Sequence, residues 1–542
     1  MKVFHSALAV AVLCTAGSFA YSQETVDLSV IHRIKAEAFE NSQVMDHIFY
    51  LTDVHGPRLT GSPGYKEAGD WVISRLKEYG LVNVNEEAWG PFGRGWTYTR
   101  FAGHMMAPQY QPLIGAPLAW TPGTNGAVQG NAIYAPIATE ADFEKFKGKL
   151  QGKIILTMPL KTINMITEAP AHRLTDAELE ARANMTDPAR LAGLASGLFA
   201  GPGGPGAQPS PEERERRTQF RRKMNQFLKD EGALLVLQYG NSGDGGTVFV
   251  QGGGSQNPKE PIPPSMLAVT PEHYNRVVRL LQHHIPVKLE FEIQARFIDS
   301  PTDSFNVVAE IPGGSKKDEL VMLGAHLDSW HSGTGATDNA TGSSVAIEAV
   351  RILKALNLKM DRTVRIALWG GEEEGLLGSQ AYVKQHFADR ETMEPKPEFF
   401  KLAAYFNDDT GTGRFRGISA QSNDQVKPIF ETWLKPFHDL GATTVGGATG
   451  RSAGRPGGTD HTSFDYVGLP GFNFIQDPME YSTRTHHSNM DVYDRVQPGD
   501  VMQCAAIMAA FVYNAATRPE MLPRIPMPKP IPRERDRRNS TQ

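Results

Sequence analysis

The chain has 542 residues, 40% of them hydrophobic, and a formal net charge of −5 at pH 7. That length exceeds what one hydrophobic core supports and predicts two or three domains. Nothing in the mild acidity, with no basic cluster on an aromatic-rich segment, suggests a nucleic-acid binder.

The first element in chain order reads as a secretory signal over residues 1–20. Lys2 supplies the positive start, residues 7–13 (ALAVAVL) the apolar core, and Gly17-Ser18-Phe19-Ala20 a small-residue cleavage site. The expected address is therefore secreted or periplasmic. The apolar run is too short to cross a bilayer and no later run reaches about 18 apolar residues, so no membrane span is expected. Cleavage removes Cys14 and leaves Cys504 in VMQCAAIMAAFVY, so no internal disulfide is expected.

Residues 21–125 read as an N-terminal, mainly helical part of a catalytic domain, with strand-like text at WTYTRFAGHMM. Over 126–295, short β runs (NAIYAPI, GKIILTMPL, ALLVLQYG, GTVFVQGG, VKLEFEIQAR) predict a separate β-rich domain. A charged helical insert at 162–229, containing the Gly/Pro-rich GLFAGPGGPGAQPSPEE, interrupts it. From 296 to 518, apolar runs of strand length (FNVVAEI, LVMLGAHL, TVRIALW, LAAYFN, GFNFIQ) alternate with helical text. That alternation predicts an α/β sandwich around a largely parallel sheet. Residues 519–542 read as a disordered Pro/Arg tail.

In such a sheet, reacting groups gather beyond the carboxyl ends of the strands. VMLGA runs into His326, RIALWGG into Glu372 and Glu373, and LAAYFN into Asp408; Asp338 precedes a helix, and His487 lies in RTHHSNMD. Two imidazoles and three carboxylates are too few for two separate four-ligand sites. If one carboxylate bridges, they suffice for two adjacent metal ions that share a water, which generates hydroxide near neutral pH and polarises a carbonyl. Alternation puts His326 and Asp328 on one side of an extended segment, where the carboxylate can receive the second imidazole N–H. In Glu372-Glu373-Glu374, neighbours point in different directions, so one carboxylate can bind metal while the next reaches the water. Ser452 sits in a G-x-S-x-G match, but in a Gly-rich loop with no flanking strand and helix, so it is not expected to act as a nucleophile.

HLDSW, GATDNATG, EEEGLLGS, NDDTG and HHSNMD resemble the motif series of the M28 family of co-catalytic zinc exopeptidases, most of all its plasma glutamate carboxypeptidase branch. The resemblance covers residues 303–516 and, more weakly, the N-terminal helices and the β-rich middle, which is similar to a protease-associated (PA) domain. It implies an α/β three-layer sandwich around a mainly parallel mixed sheet, with an inserted β-rich PA-like domain. It also implies two zinc ions per chain: His326 and Asp408 on one, Glu373 and His487 on the other, and Asp338 bridging them. Glu372 matches the general base and Asp328 the carboxylate behind the first imidazole. Asp409 follows Asp408 and leaves an ambiguity of one position. Of the paired histidines only His487 has the family's His-x-x-x-Asp spacing, to Asp491. His486 then takes the place where some relatives carry an oxyanion-stabilising Tyr. GGTDHTSF resembles a pocket-lining loop, which would put Asp460 or His461 against substrate.

The function implied is an exported di-zinc metallo-exopeptidase acting on peptides, as an aminopeptidase or as a dipeptidase or carboxypeptidase. A metal-bridging hydroxide would be the nucleophile. Two rivals stand beside it: a glutaminyl-cyclase-like enzyme with a single zinc, and a non-catalytic peptide- or partner-binding protein lacking ligands or base. Oligomeric state is open, a homodimer included, because related enzymes are often dimers.

Overall fold

The apolar runs sort into two eight-stranded sheets, except GTVFVQGG, which makes only isolated bridges at Phe249 and Gly252. A computed structural model describes residues 24–184, 211–240, 242–421, 423–447 and 458–530. The expected signal segment, residues 185–210 of the insert, Ser452 and the tail beyond 530 lie outside the described residues.

β1 (Val82–Trp89) belongs to the first sheet. The second sheet takes the next eight strands: β2 (Gly95–Ala107), β3 (Gln111–Pro112), β4 (Gly115–Pro117), β5 (Val128–Tyr134), β6 (Ile154–Leu156), β7 (Leu235–Tyr239), β8 (Met266–Val269) and β9 (Lys288–Ile298). The chain then returns to the first sheet with β10 (Ser304–Ile311), β11 (Lys316–His326), β12 (Arg362–Trp369), β13 (Leu402–Asn407), β14 (Phe415–Ser419), β15 (Thr444–Gly446) and β16 (Gly471–Gln476). The order in that sheet is β1-β10-β12-β11-β13-β16-β14-β15, with β12, β11, β13 and β16 mutually parallel at the centre.

Strand alternation builds the layers. Val321, Leu323, Val364, Ile366, Ala404 and Phe406 face one core, shared with helices Leu28–Glu40, Thr341–Ala355 and Pro498–Thr517. Leu320, Met322, Ala367, Trp369 and Tyr405 face the other, shared with Tyr382 and Phe387 and with Phe464 of helix His461–Asp465. Both faces are covered, which is why the central strands read as unbroken apolar runs. The result is the mainly parallel, three-layer α/β sandwich that the resemblance implies. Cys504 is a free, buried thiol in the last helix. Among the described residues no helix is long and apolar enough to cross a membrane.

Helix Pro63–Glu78 starts where its sequence dictates. Ser62 caps it by accepting from the Tyr65 N–H, and Pro63 opens the first turn, where no N–H is needed. The loop just before it, HGPRLTGS, reaches under the first sheet, where buried Arg58 donates to the carbonyls of Leu51, Leu327, Thr334 and Gly335.

Two expected boundaries shift. The β-rich domain begins at Gly95 rather than at 126, because β2 pairs antiparallel with β9 from Gly95↔Ile298 to Ala107↔Lys288. Local text marks β2 as a strand but cannot name a partner so far along the chain. The tail also departs from expectation over 519–530. It has no regular secondary structure, yet Leu522 is buried, Arg524 donates to the carbonyls of Phe399 and Leu402, and Asn423 donates to the Pro523 carbonyl. The arm of the insert is tied down too. Arg173 reaches Asp477 (2.9 Å) and Asp500 (2.8 Å), and Gly447 N–H donates to the Arg182 carbonyl at 2.8 Å.

Candidate metal centre

The carboxyl ends of three neighbouring parallel strands bring the chemistry together. β11 ends at His326, whose register partner on β12 is Trp369, and Glu372 and Glu373 follow two glycines later. On the other side Gly324 pairs with Asn407, and Asp408 and Asp409 follow. Asp338 enters from the turn before helix Thr341–Ala355, in a cis peptide with Asn339. The Asn339 side chain ties this turn to β13 by donating to the Asp408 carbonyl at 2.9 Å. His487 comes from the loop after turn Tyr481–Thr485 and adopts a left-handed conformation, φ 57°.

Asp338 stands at the middle. Its Oδ1 is 3.3 Å from His326 Nε2 and its Oδ2 is 3.2 Å from His487 Nε2. His326 Nε2 also lies 3.4 Å from Asp409 Oδ1, and His487 Nε2 lies 2.9 Å from Glu373 Oε2. Two donor sets therefore share one aspartate. His486 stacks on His487 with ring centroids 3.6 Å apart, and its Nε2 is 3.8 Å from Asp338 Oδ2.

Asp409, not Asp408, faces His326. On β13, Ala404 and Phe406 point to the larger core, and Asp408 continues that parity. Cys504 of the last helix is in that same core. Burial, then the neighbouring Asp409, pushes the Asp408 carboxyl well above the usual carboxylate range. Asp409 shares the face of Tyr405 and Asn407, and through the Gly324–Asn407 register that is also the face of His326.

Asp328 lies behind the site. Its Oδ1 is 3.4 Å from His326 Nδ1, and its Oδ2 accepts from the Thr60 hydroxyl at 2.9 Å. The same carboxylate accepts from the backbone N–H of Glu372 (3.4 Å) and of Glu373 (3.3 Å), so it orients one imidazole and shapes the Glu turn together. Glu372 lies in the field of His326, Asp409 and Asp460; burial dominates and raises it well above the carboxylate range. Burial and Asp338 push Glu373 up to about 7, and burial pushes Asp460 up to about 7. Burial lowers His487, but Glu373 and Asp338 outweigh it and lift the imidazole to about 10. Burial and His487 lower His486 to about 3.

Of the two pocket-loop residues, Asp460 joins the carboxylate cluster. His461 is buried, lowered to about 4, and its Nε2 lies 3.0 Å from the Gln421 side-chain nitrogen. Sequence reasoning overlooked Thr60, Gln251 and Tyr481. Tyr481 is buried in the field of Asp338, Asp409, Glu373 and Glu372, which together with burial holds its phenol protonated. Only its place in the loop leading to His486 could have marked it.

The residues fit a metal pair. His326 Nε2, Asp338 Oδ2, Glu373 Oε1 and Asp409 Oδ1 are buried without a hydrogen-bond partner, a costly state that cation binding relieves. Uncompensated carboxylates surround mixed imidazole and oxygen donors, a set that suits zinc.

Residues 306–512 match the model of peptidase family M28. This segment belongs to peptidase family M28. Human carboxypeptidase Q is 30% identical to the chain over 256 residues, covering 47% of this chain and 50% of that protein. The chain thus matches about half the length of this curated relative. A peptidase M28 precursor from Shewanella amazonensis SB2B superposes with a TM-score of 0.63 at 23% identity, covering 92% of this chain and 98% of that one. A zinc aminopeptidase from Bacillus subtilis gives 0.52 at 18%, covering 89% and 96%. At such identities the two structures show the fold alone, and it is the fold of the M28 domain.

Proposed function

We propose that this M28 chain is an exported di-zinc metallo-exopeptidase that hydrolyses peptide bonds. The observation that carries the proposal is the convergence of His326, Asp409, Glu373 and His487 on Asp338, with orphaned donor atoms turned toward one another. His326 and Asp409 would hold one zinc, Glu373 and His487 the other, and Asp338 both. Bound there, the ions would polarise the scissile carbonyl and bring a water pKa toward 7. The match of residues 306–512 to peptidase family M28 and the likeness to carboxypeptidase Q support the peptidase reading. Export rests on the signal-like text of residues 1–20.

The chain's own groups then divide the work. Glu372, in the field of the first donor set, accepts the proton of the attacking water and returns it to the leaving amine. Asp328 keeps His326 in the tautomer that presents Nε2, with its backbone carbonyl 3.0 Å and its Oδ1 3.4 Å from Nδ1. The Tyr481 phenol is a donor for the developing oxyanion, with neutral His486 stacked beside His487. Asp460 lines the same cluster and is the residue of GGTDHTSF that faces substrate, whereas His461 is engaged with Gln421.

A screen of aminoacyl and dipeptide substrates, with and without a chelator, tests the proposal. Hydrolysis should vanish with the chelator and return with zinc, and metal analysis should find two ions per chain. Chelator-insensitive hydrolysis, or a single zinc with no peptide hydrolysis, would overturn it.

A further inference from the structure

The geometry points to Gln251, in the inserted β-rich domain, as a positioning residue for His487, so that this domain forms part of the metal centre. The inference rests on the metal-centre reading above. Residues 246–251 run from the inserted β-rich domain alongside the loop that carries His486 and His487. Val250 N–H donates to the His487 carbonyl at 3.0 Å, and Asn489 N–H donates to the Val248 carbonyl at 3.2 Å. Phe249 and Ser488 form an antiparallel bridge, and Asn489 Oδ1 accepts from Val248 N–H at 2.7 Å. The Phe249 ring lies 5.6 Å from the His487 ring, centroid to centroid.

Gln251 reaches His487 from a fixed base. Val248 and Val250 are buried in a cluster with Ala116 and Ala268 of the inserted sheet. The Gln251 carbonyl accepts from Ala119 N–H at 3.1 Å, and Gly253 N–H donates to the Ala119 carbonyl at 2.9 Å. The glycines of QGGGS make this possible: a Cβ at Gly254 would stand 1.9 Å from the Trp120 carbonyl oxygen. From that anchorage the Gln251 side-chain amide lies 2.8 Å from His487 Nδ1.

The other ring nitrogen, Nε2, is the one turned to Asp338 and Glu373. When Nε2 gives its lone pair to a cation, the imidazole proton sits on Nδ1 and needs an acceptor. The Gln251 carboxamide supplies it through Oε1, since its oxygen and nitrogen exchange places by a half-turn of the amide. His487 is held in a left-handed backbone conformation, and the flanking strand-like segment constrains that loop from outside the M28 domain.

The test is stepwise zinc binding to the full-length chain, measured by competition with a chromophoric chelator, for the wild type and for Gln251→Leu and Gln251→Glu. Outer partners of metal-bound histidines change affinity by about 10- to 100-fold. Gln251→Leu should weaken one zinc step by that factor and leave the other unchanged, while Gln251→Glu should restore or tighten it. Equal binding in all three proteins, or equal weakening by Leu and Glu, would overturn the positioning role while leaving the metal centre intact. A wild-type chain that binds no zinc would overturn the metal-centre reading and this inference with it.

Discussion

Asp409 Oδ1 lies 3.4 Å from His326 Nε2, while strand parity turns the preceding residue, Asp408, toward the larger core that holds Ala404, Phe406 and Cys504. Adjacent residues at the end of β13 therefore have separate fates. Asp409→Asn should cost one of the two zinc ions, read by elemental analysis of dialysed protein. Asp408→Asn removes a carboxyl outside the proposed donor set, one that burial pushes well above the usual carboxylate range, so zinc content should stay at the wild-type level. The reverse pattern would restore Asp408 as the ligand.

Glu372→Gln removes a proton acceptor without removing a proposed zinc donor. It should retain both ions and lower kcat by about 10²–10⁴-fold, checked by steady-state kinetics beside metal analysis. Near-normal turnover would transfer the base role to another group.

Tyr481→Phe deletes the hydroxyl proposed to donate to the oxyanion. An oxyanion donor is typically worth about 10²–10³-fold in kcat, so the loss should fall on kcat with KM nearly unchanged. A loss confined to KM would mark Tyr481 as part of the ground-state pocket.

Stability at alkaline pH should depend on His386, which joins Glu87 on β1 (2.7 Å) to Glu398 (3.0 Å). Burial lowers this imidazole, but Glu398 and Glu87 outweigh it and raise it to about 9. Because the folded pKa exceeds the unfolded value of about 6.5, the contribution is complete below that value and is lost as pH rises through about 9. Tm should therefore fall across that window, and His386→Gln should flatten the fall. A variant with the wild-type slope would assign the alkaline loss elsewhere.

Much of the site was legible because its donors end apolar runs, and a strand in a covered parallel sheet must end where polar residues begin. His326 and Glu373 could be chosen that way, Asp338 by its place before a helix and His487 through the family's His-x-x-x-Asp spacing, and the structure brings the four to one place. Asp408 and Asp409 both follow LAAYFN, so composition could not separate them; the parity shared with His326 was readable only once the Gly324–Asn407 register was known. The boundary at Gly95 was hidden for a related reason, since the partner of β2 lies on β9, far along the chain.

Sequence alone determined the kinds of donor, their spacing and the alternation that makes an α/β sandwich, because periods of two and 3.6 residues are local properties of the backbone. Tertiary structure alone decided which aspartate faces the imidazole and that Gln251 of the inserted sheet touches His487. Those contacts join segments remote in the chain, and long-range pairing follows from how whole surfaces pack rather than from neighbouring residues.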